Sequence, residues 1–403
     1  AQRPNMVILW AGYAFSWDYT TPRGHQHAVE DVRRTLRTGA PGVTEGKEPQ
    51  PGTCWTCKGP DVPRVMNEQG VANFYKAPWS KWGDQIMNNV GCSDCHDSKT
   101  MDLKPARPAL YEAWQRVGKD VNKATHQEMR SLVCAQCHTE YYFKGEGKYL
   151  TFPQDSGMTV EAMEKYYDAM NYKDYTHALS RAPILKAQHP GYEVHQMGIH
   201  GQRGVSCADC HMPYMSKGGV KYTDHHIMSP LANIERTCQT CHRQSAETLR
   251  QNVYERQRKC NEIRNRVENE LATAHIEAKF AWDKGATEAE MKPVLDLLRK
   301  SQWRWDFAVA SHGAAFHAPQ EIMRILSHSL DLANQARLKV AKVLARHGFN
   351  DDVPMPDIST KAKAQAYIGV DMKQKEADKE KFLNTVVPQW IKKAKAAGRA
   401  IDL

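Results

Sequence analysis

Five Cys-x-x-Cys pairs constrain this chain more than any other feature. Cys54-Trp55-Thr56-Cys57 is followed by Lys58. The other four run straight into histidine: Cys92-Ser93-Asp94-Cys95-His96, Cys134-Ala135-Gln136-Cys137-His138, Cys207-Ala208-Asp209-Cys210-His211 and Cys238-Gln239-Thr240-Cys241-His242. With 18 His in 403 residues, chance would place histidine after four of five pairs only about 2 × 10⁻⁵ of the time. Each Cys-x-x-Cys-His is the attachment signature of a c-type haem, in which the thiols add to the haem vinyl groups and the histidine ligates the iron. Zinc sites share the Cys-x-x-Cys spacing but give no reason for a histidine immediately after the second cysteine. A disulfide framework fits no better, since pairs this close in sequence staple only short loops. The eleventh cysteine, Cys260, reads as a small, partly buried thiol.

Five haems in 403 residues leave about 80 residues to each, so porphyrin must supply much of the interior. One compact haem-filled body is therefore expected, with a haem-binding region over about 1–243 and long helices over about 244–403. The formal charge of +9 would ordinarily suggest nucleic acid. Five haems, however, bring about ten propionates that this count omits, and these can absorb the excess Arg and Lys. No nucleic-acid partner is expected. Mean hydropathy is −0.67, and the opening apolar run, Met6 to Trp10, is far too short to span a membrane. Haem c attachment takes place outside the bacterial cytoplasm, so a periplasmic location after export is expected.

Apolar Val29, Val32 and Leu36 predict a helix over 24–36, with Arg33, Arg34 and Arg37 at its end and Thr38-Gly39-Ala40-Pro41 as its stop. Residues 42–53 read as a Pro/Gly loop delivering the chain to the lysine motif. Further helices are expected over Pro108 to Val117, from a Thr159 cap to Met170, and over Tyr192 to His200. Pro190 disfavours helical geometry at His189 and so presents it from a loop. Gly218 to His225 reads as a turn into an extended piece. After His242 the pattern becomes long helices, about 244–283, 287–312, 319–347 and 371–397. Thr287-Glu288-Ala289-Glu290 forms a capping box, and Pro293 is expected to kink or delay that helix.

Through Cys54-Trp55-Thr56-Cys57-Lys58 and the four Cys-x-x-Cys-His sites, the chain resembles the ammonia-forming pentahaem cytochrome c nitrite reductases. Pro22-Arg23-Gly24-His25, Arg37-Thr38-Gly39-Ala40-Pro41, Glu140-Tyr141-Tyr142-Phe143, Lys186-Ala187-Gln188-His189-Pro190, Tyr222-Thr223-Asp224-His225 and Phe316-His317-Ala318-Pro319 match in the same order. The resemblance runs essentially end to end. It implies a mainly α, homodimeric periplasmic enzyme with five haems c and a calcium ion. Lys58 would be the axial ligand of the catalytic iron, and Arg37, Tyr141 and His189 would surround the substrate. Calcium would take the carboxylate of Glu140, the main-chain oxygens of Tyr141 and Lys186, and the side-chain oxygen of Gln188. His25, His200, His225 and His317 would be the second ligands of the other haems, with His312 a rival for the last place. The electron donor would be a multihaem protein or a quinol-oxidising cytochrome.

Two histidines on an iron leave no position for substrate, so four bis-histidine haems conduct electrons and one lysine-ligated haem reacts. Lysine ligates only as the free amine, so the metal must displace a proton that water alone would leave in place. Arginine matches a small oxyanion with a planar fork of donors. Two readings compete with the nitrite reductase. One is a pure electron-transfer cytochrome in which Lys58 only tunes a potential. The other is a reductase of hydroxylamine, sulfite or tetrathionate. Five attachment pairs predict five covalent haems, which an intact mass combined with a pyridine haemochrome count checks; four would leave Cys54 and Cys57 empty and remove the catalytic assignment.

Overall fold

The computed structural model describes residues 3–400 and is mainly helical; its strands form three two-residue to four-residue antiparallel hairpins among the described residues. The expected long helices are present as Ala246–Asp283, Glu288–Ala310, Pro319–Arg346 and Met372–Ala396. The first three pack on one another. In Pro319–Arg346 the buried residues Ile322, Ile325, Leu326, Ser329, Ala333, Ala336, Val340 and Val343 follow a helical stripe that faces its neighbours. Glu288–Ala310 is buried on nearly every side from Ser301 to Phe307, as a central helix must be. Where these two helices meet, Ser301 Oγ donates to the Ser329 carbonyl at 2.8 Å and Ser329 Oγ donates back to Ser301 at 2.7 Å. Each hydroxyl is thus satisfied, and the small side chains let the backbones approach closely.

The capping box at Thr287 is present, with Thr287 N donating to Glu290 Oε2 at 2.9 Å. Contrary to expectation, Pro293 does not delay this helix, which begins at Glu288. The cap fixes the first turn, and proline's missing N–H falls one turn later, where it removes only a single bond.

The expected 24–36 helix is shorter and divided. His25–His27 is a 3-10 turn, Ala28–Arg34 is the α-helix, and Leu36–Thr38 is a second 3-10 turn. Asp18 causes the break: its carboxylate accepts Thr35 Oγ1 at 3.0 Å and Leu36 N at 3.2 Å, holding Thr35 extended. Arg37 therefore stands on its own turn, off the helix that carries Arg33 and Arg34. The Thr159 cap and the helix Val160–Ala169 form as read, as does Pro108–Arg116. The predicted Tyr192 to His200 helix is two, Gly191–Met197 and Ile199–Gln202, separated by extended Gly198.

Two apolar clusters fill the interior. One joins the long helices to the buried Asn5–Leu9 helix and to residues between 142 and 194, with Cys260 buried in it. The other surrounds Trp55, Phe74, Trp79 and Trp82, and takes Phe382 and Trp390 from the last helix. That helix accordingly returns to the N-terminal region, where Lys379 Nζ donates to Arg33 O and Thr38 Oγ1, both at 3.1 Å. No helix among the described residues is long and apolar enough to cross a membrane.

A buried polar knot ties the first cluster together. The His177 and His275 rings stack with centroids 3.8 Å apart. His177 Nε2–H donates to Ile8 O at 2.8 Å, while its Nδ1 accepts the N–H groups of Leu179 and Ser180. His275 lies between Ser180 Oγ, at 2.8 Å, and Gln302 Oε1, at 2.7 Å. A proton added to His177 Nδ1 would meet only donors, and burial pushes His177 down to about 4 and His275 down as well. Above pH 6.5 both the folded and the unfolded chain are neutral at these rings. Below it the unfolded chain takes up protons that the folded one refuses, so stability should fall from pH 6.5 to 4, on the order of 3 kcal/mol for His177. Urea melts over that range should show a flatter pH slope in His177→Asn than in the wild type, the comparison cancelling any shared contribution from other histidines.

Candidate active site

The backbone of each histidine motif closes one helical turn. The N–H of His96, His138 and His242 returns to the carbonyl of Cys92, Cys134 and Cys238, each at 2.9 Å, and Cys207–His211 is itself a short helix. Cysteine and histidine consequently share a face. In the lysine motif the turn is tighter: Lys58 N returns to Trp55 O at 2.9 Å.

The two residues between the cysteines are free of attachment chemistry and fasten one motif to the next. Buried Arg107 donates Nε to Thr56 O at 2.7 Å and Nη2 to Asp94 Oδ1 at 2.6 Å, so it grips the lysine motif and the His96 motif together. Gln136 Nε2 donates to Asp94 O at 2.7 Å. Arg130 Nη2 reaches Asp209 Oδ1 at 3.3 Å, and Cys207 N donates to Ser131 Oγ at 3.1 Å. Cys57 and Cys137 lie beside each other, as do Cys134 and Cys207. Cys210 lies within electrostatic reach of Cys238 and Cys241. The attachment points therefore form an unbroken series starting at the lysine motif.

Each motif histidine faces one histidine from elsewhere. Ring centroids are 6.1 Å apart for His25 and His138, for His96 and His225, and for His200 and His242; they are 6.3 Å apart for His211 and His317. Metal–imidazole bonds of about 2.0–2.1 Å on both sides of one ion place ring centres roughly 6.3 Å apart. The other histidine–histidine ring contacts among the described residues run from 3.8 to 5.6 Å. His96, His211 and His225 each present Nδ1 to a main-chain carbonyl, of Met101 at 2.7 Å, Met228 at 2.9 Å and Thr223 at 2.8 Å. A carbonyl can only accept, so Nδ1 carries the proton and Nε2 is left for a metal. The residues present fit haem iron. His317, rather than its rival His312, stands opposite a motif histidine; His312 packs on His189 with centroids 5.2 Å apart.

Around the lysine motif the arrangement differs. Tyr141 lies within electrostatic reach of Cys54, Cys57 and Tyr13, and Tyr13 in turn within reach of Cys54 and Arg37. Burial raises the Tyr141 phenol well above its usual range. Arg37 donates Nε to Thr35 Oγ1 at 3.2 Å and, among the described residues, forms no ion pair. Its helical neighbours are committed: buried Arg33 donates to Gly83 O and Ile86 O, each at 3.0 Å, and exposed Arg34 to Glu30 at 2.7 Å. The charge on Lys58 reaches His189. The His189 ring itself engages His138 Nδ1 through Nε2 at 2.6 Å and Ala310 O through Nδ1 at 3.2 Å. Burial, followed by His312, pushes His189 down to about 4, so it is neutral at pH 7.

Glu140, Lys186 and Gln188 converge in the interior. Glu140 is fully buried and accepts Gln188 N at 2.7 Å, and the Gln188 amide meets the Lys186 carbonyl at 3.2 Å. Tyr141 follows Glu140 directly. Half-buried Asp174 and buried Glu193 lie within electrostatic reach of Glu140, and one Glu193 oxygen has no partner. Against these carboxylates stands the Lys186 ammonium, already paired with buried Asp306 at 2.9 Å. Burial pushes Glu140 well above the usual carboxylate range, Glu193 up and Asp174 up to about 6, and a hard divalent cation beside them would favour their ionised forms. Among the described residues no three His, Cys, Asp or Glu side chains are grouped to hold a metal. One carboxylate with carbonyl and amide oxygens, the set the resemblance implies, is of a kind that suits calcium.

Sequence reasoning missed the segment from Trp10 to Tyr19, which supplies Tyr13, Phe15 and Asp18 to the site. Five aromatic residues in ten positions were the available signal.

Helical packing around histidine pairs set for iron defines a multihaem c-type cytochrome. The family model for cytochrome c552 matches residues 1–398, and the chain belongs to that family. It is 72% identical over 399 residues to a cytochrome c-552 of Bacteroides thetaiotaomicron, covering 99% of this chain and 80% of the relative. It is 68% identical over 400 residues to one from Porphyromonas gingivalis, covering 99% and 80%. Among solved structures it is similar to the catalytic subunit of cytochrome c nitrite reductase from Desulfovibrio desulfuricans, which has two calcium sites, with a TM-score of 0.79 and 31% identity over 92% of this chain and 79% of that one.

Gly198 and Gly313 leave no space for a side chain beside His317. A Cβ on Gly198 would fall 1.7 Å from the His317 carbonyl oxygen, and one on Gly313 2.3 Å from the ring. Gly198→Ala should therefore displace His317 from His211 and turn one low-spin haem high-spin with the haem count unchanged, which electron paramagnetic resonance would detect.

Proposed function

We propose that this chain is a periplasmic nitrite reductase forming ammonium, with five haems c and a calcium ion. The observation that carries the reading is Arg37, a cation without a carboxylate beside the one attachment motif that ends in lysine. The reaction consumes six electrons and eight protons per nitrite and yields ammonium and two waters. Lys58 at the first motif and the paired histidines at the other four would hold haem iron, which when bound would supply the redox centre for nitrite and the conduit for electrons.

The chain's own residues set the anion in place. Arg37, fixed through Nε, has both Nη groups to offer the oxygens of nitrite, a charge-assisted contact that strengthens as N–O bonds break. Tyr141 keeps its proton because burial raises its phenol, so it acts as a donor. His189, neutral, accepts from His138 in this arrangement; donation to substrate requires that bond to open. Glu140, the main-chain oxygens of Tyr141 and Lys186, and the side-chain oxygen of Gln188 would hold calcium and so fix Tyr141 and the His189 loop from behind. Electrons come from a multihaem or quinol-oxidising cytochrome donor, and a homodimer through the long helices accords with the resemblance.

The test is ammonium production from nitrite with a reduced viologen dye. Arg37→Lys keeps the charge and loses the planar fork, so turnover should fall roughly 10²-fold, in line with lost donors at oxyanion sites. Arg34→Lys, at an exposed and paired position, should change it little. Absence of ammonium from the fully haem-loaded wild type would refute the reading.

A further inference from the structure

We propose that Phe15 is a positioning residue that sets the affinity of the site for anions, an inference that rests on Arg37 as the anion-binding group. The Arg37 guanidinium carbon lies 4.4 Å from the centre of the Phe15 ring and 5.7 Å from that of Tyr19. Lys186 Nζ lies 4.8 Å from the same Phe15 centre. One ring thus stands against two cations: Lys186, whose charge is committed to Asp306, and Arg37, whose charge is not. An aromatic face attracts a cation without neutralising it, which a carboxylate in that place would do. Phe15 therefore holds the guanidinium while leaving its charge for an incoming anion.

The rest of the segment completes the support. Tyr13 stacks on Phe15 with centroids 5.2 Å apart and an interplanar angle of 5°, and Trp10 meets it edge-on at 5.5 Å. Asp18 accepts Thr35 Oγ1 at 3.0 Å, and Thr35 Oγ1 accepts Arg37 Nε at 3.2 Å. The guanidinium is constrained in its plane by this relay and across its plane by Phe15. The Nη groups keep their donors for ligand. Anion affinity should then depend on the ring at position 15, whereas affinity for an uncharged ligand should not.

The experiment uses the fully haem-loaded protein and two optical titrations, azide on the ferric form and carbon monoxide on the ferrous form. In Phe15→Leu the azide dissociation constant should rise about three- to tenfold and the carbon monoxide constant should stay within about twofold. Phe15→Tyr, which restores the ring, should match the wild type in both. Unchanged azide binding in Phe15→Leu overturns the proposal, as does equal weakening of both ligands, which would mark a general disturbance of the pocket. If Phe15→Leu fails to assemble, Phe15→Met is read by the same criteria, and loss of haem from both assigns Phe15 to folding and overturns it too. Steady-state kinetics separate this from the nitrite reading. A wild type that makes no ammonium but shows the azide-selective effect of Phe15→Leu refutes that reading and keeps the proposal. A wild type that makes ammonium, with azide unaffected at position 15, does the reverse.

Discussion

Four gaps of 6.1 to 6.3 Å between imidazole rings are the constraint that the remaining structure serves. Metal–nitrogen bonds are short and directional, so a second ligand placed an ångström away would leave an iron five-coordinate. His25, His200, His225 and His317 come from four different parts of the chain, and each must be delivered to one motif histidine. The extended Gly198 between two short helices, the Gly313 approach to the His317 ring and the carbonyls that fix three imidazole tautomers all serve that delivery. Arg107 and Gln136 then hold the motifs in register with one another.

Charge balance governs the lysine site. The pair formed by Lys186 and Asp306 neutralises itself in the interior, leaving Glu140, Asp174 and Glu193 for a cation, while Arg37 remains unpaired among aromatic rings. Arg37 is half-buried, and a charge taken partly or wholly out of water without a counter-charge is costly. Its persistence on both sides of the site marks where ions of opposite sign belong: a divalent cation behind Tyr141 and a small anion in front of Arg37. The aromatic segment from Trp10 to Tyr19 makes this tolerable, because its rings can touch a cation without cancelling it.

The long helices supply stiffness. Ser301 and Ser329 lock the two innermost helices, and the stacked His177 and His275 join the N-terminal Asn5–Leu9 helix to the same core. The loop bearing Lys186, Gln188 and His189 is pinned to this scaffold at Asp306 and at Ala310. Rigid elements thereby hold an irregular loop, as a site with this many converging groups requires.

The sequence by itself determined the attachment chemistry, because cysteine spacing and the following residue are local facts that no packing can alter. It also determined the four long helices, whose apolar stripes and caps are periodic signals. Helix ends were less legible wherever a distant side chain decided them: Asp18 broke the helix before Arg37, and the His317 backbone forced Gly198 open. Which histidine faces which motif is a property of chain segments far apart in sequence, more than a hundred residues in three of the four pairs, such as His211 and His317, and only the tertiary structure could decide it. The same holds for Arg37. Among three arginines within five positions, nothing local distinguishes one from another. The folded chain commits Arg33 to carbonyls and Arg34 to Glu30, and leaves the third, held by Thr35 and Phe15, without a carboxylate.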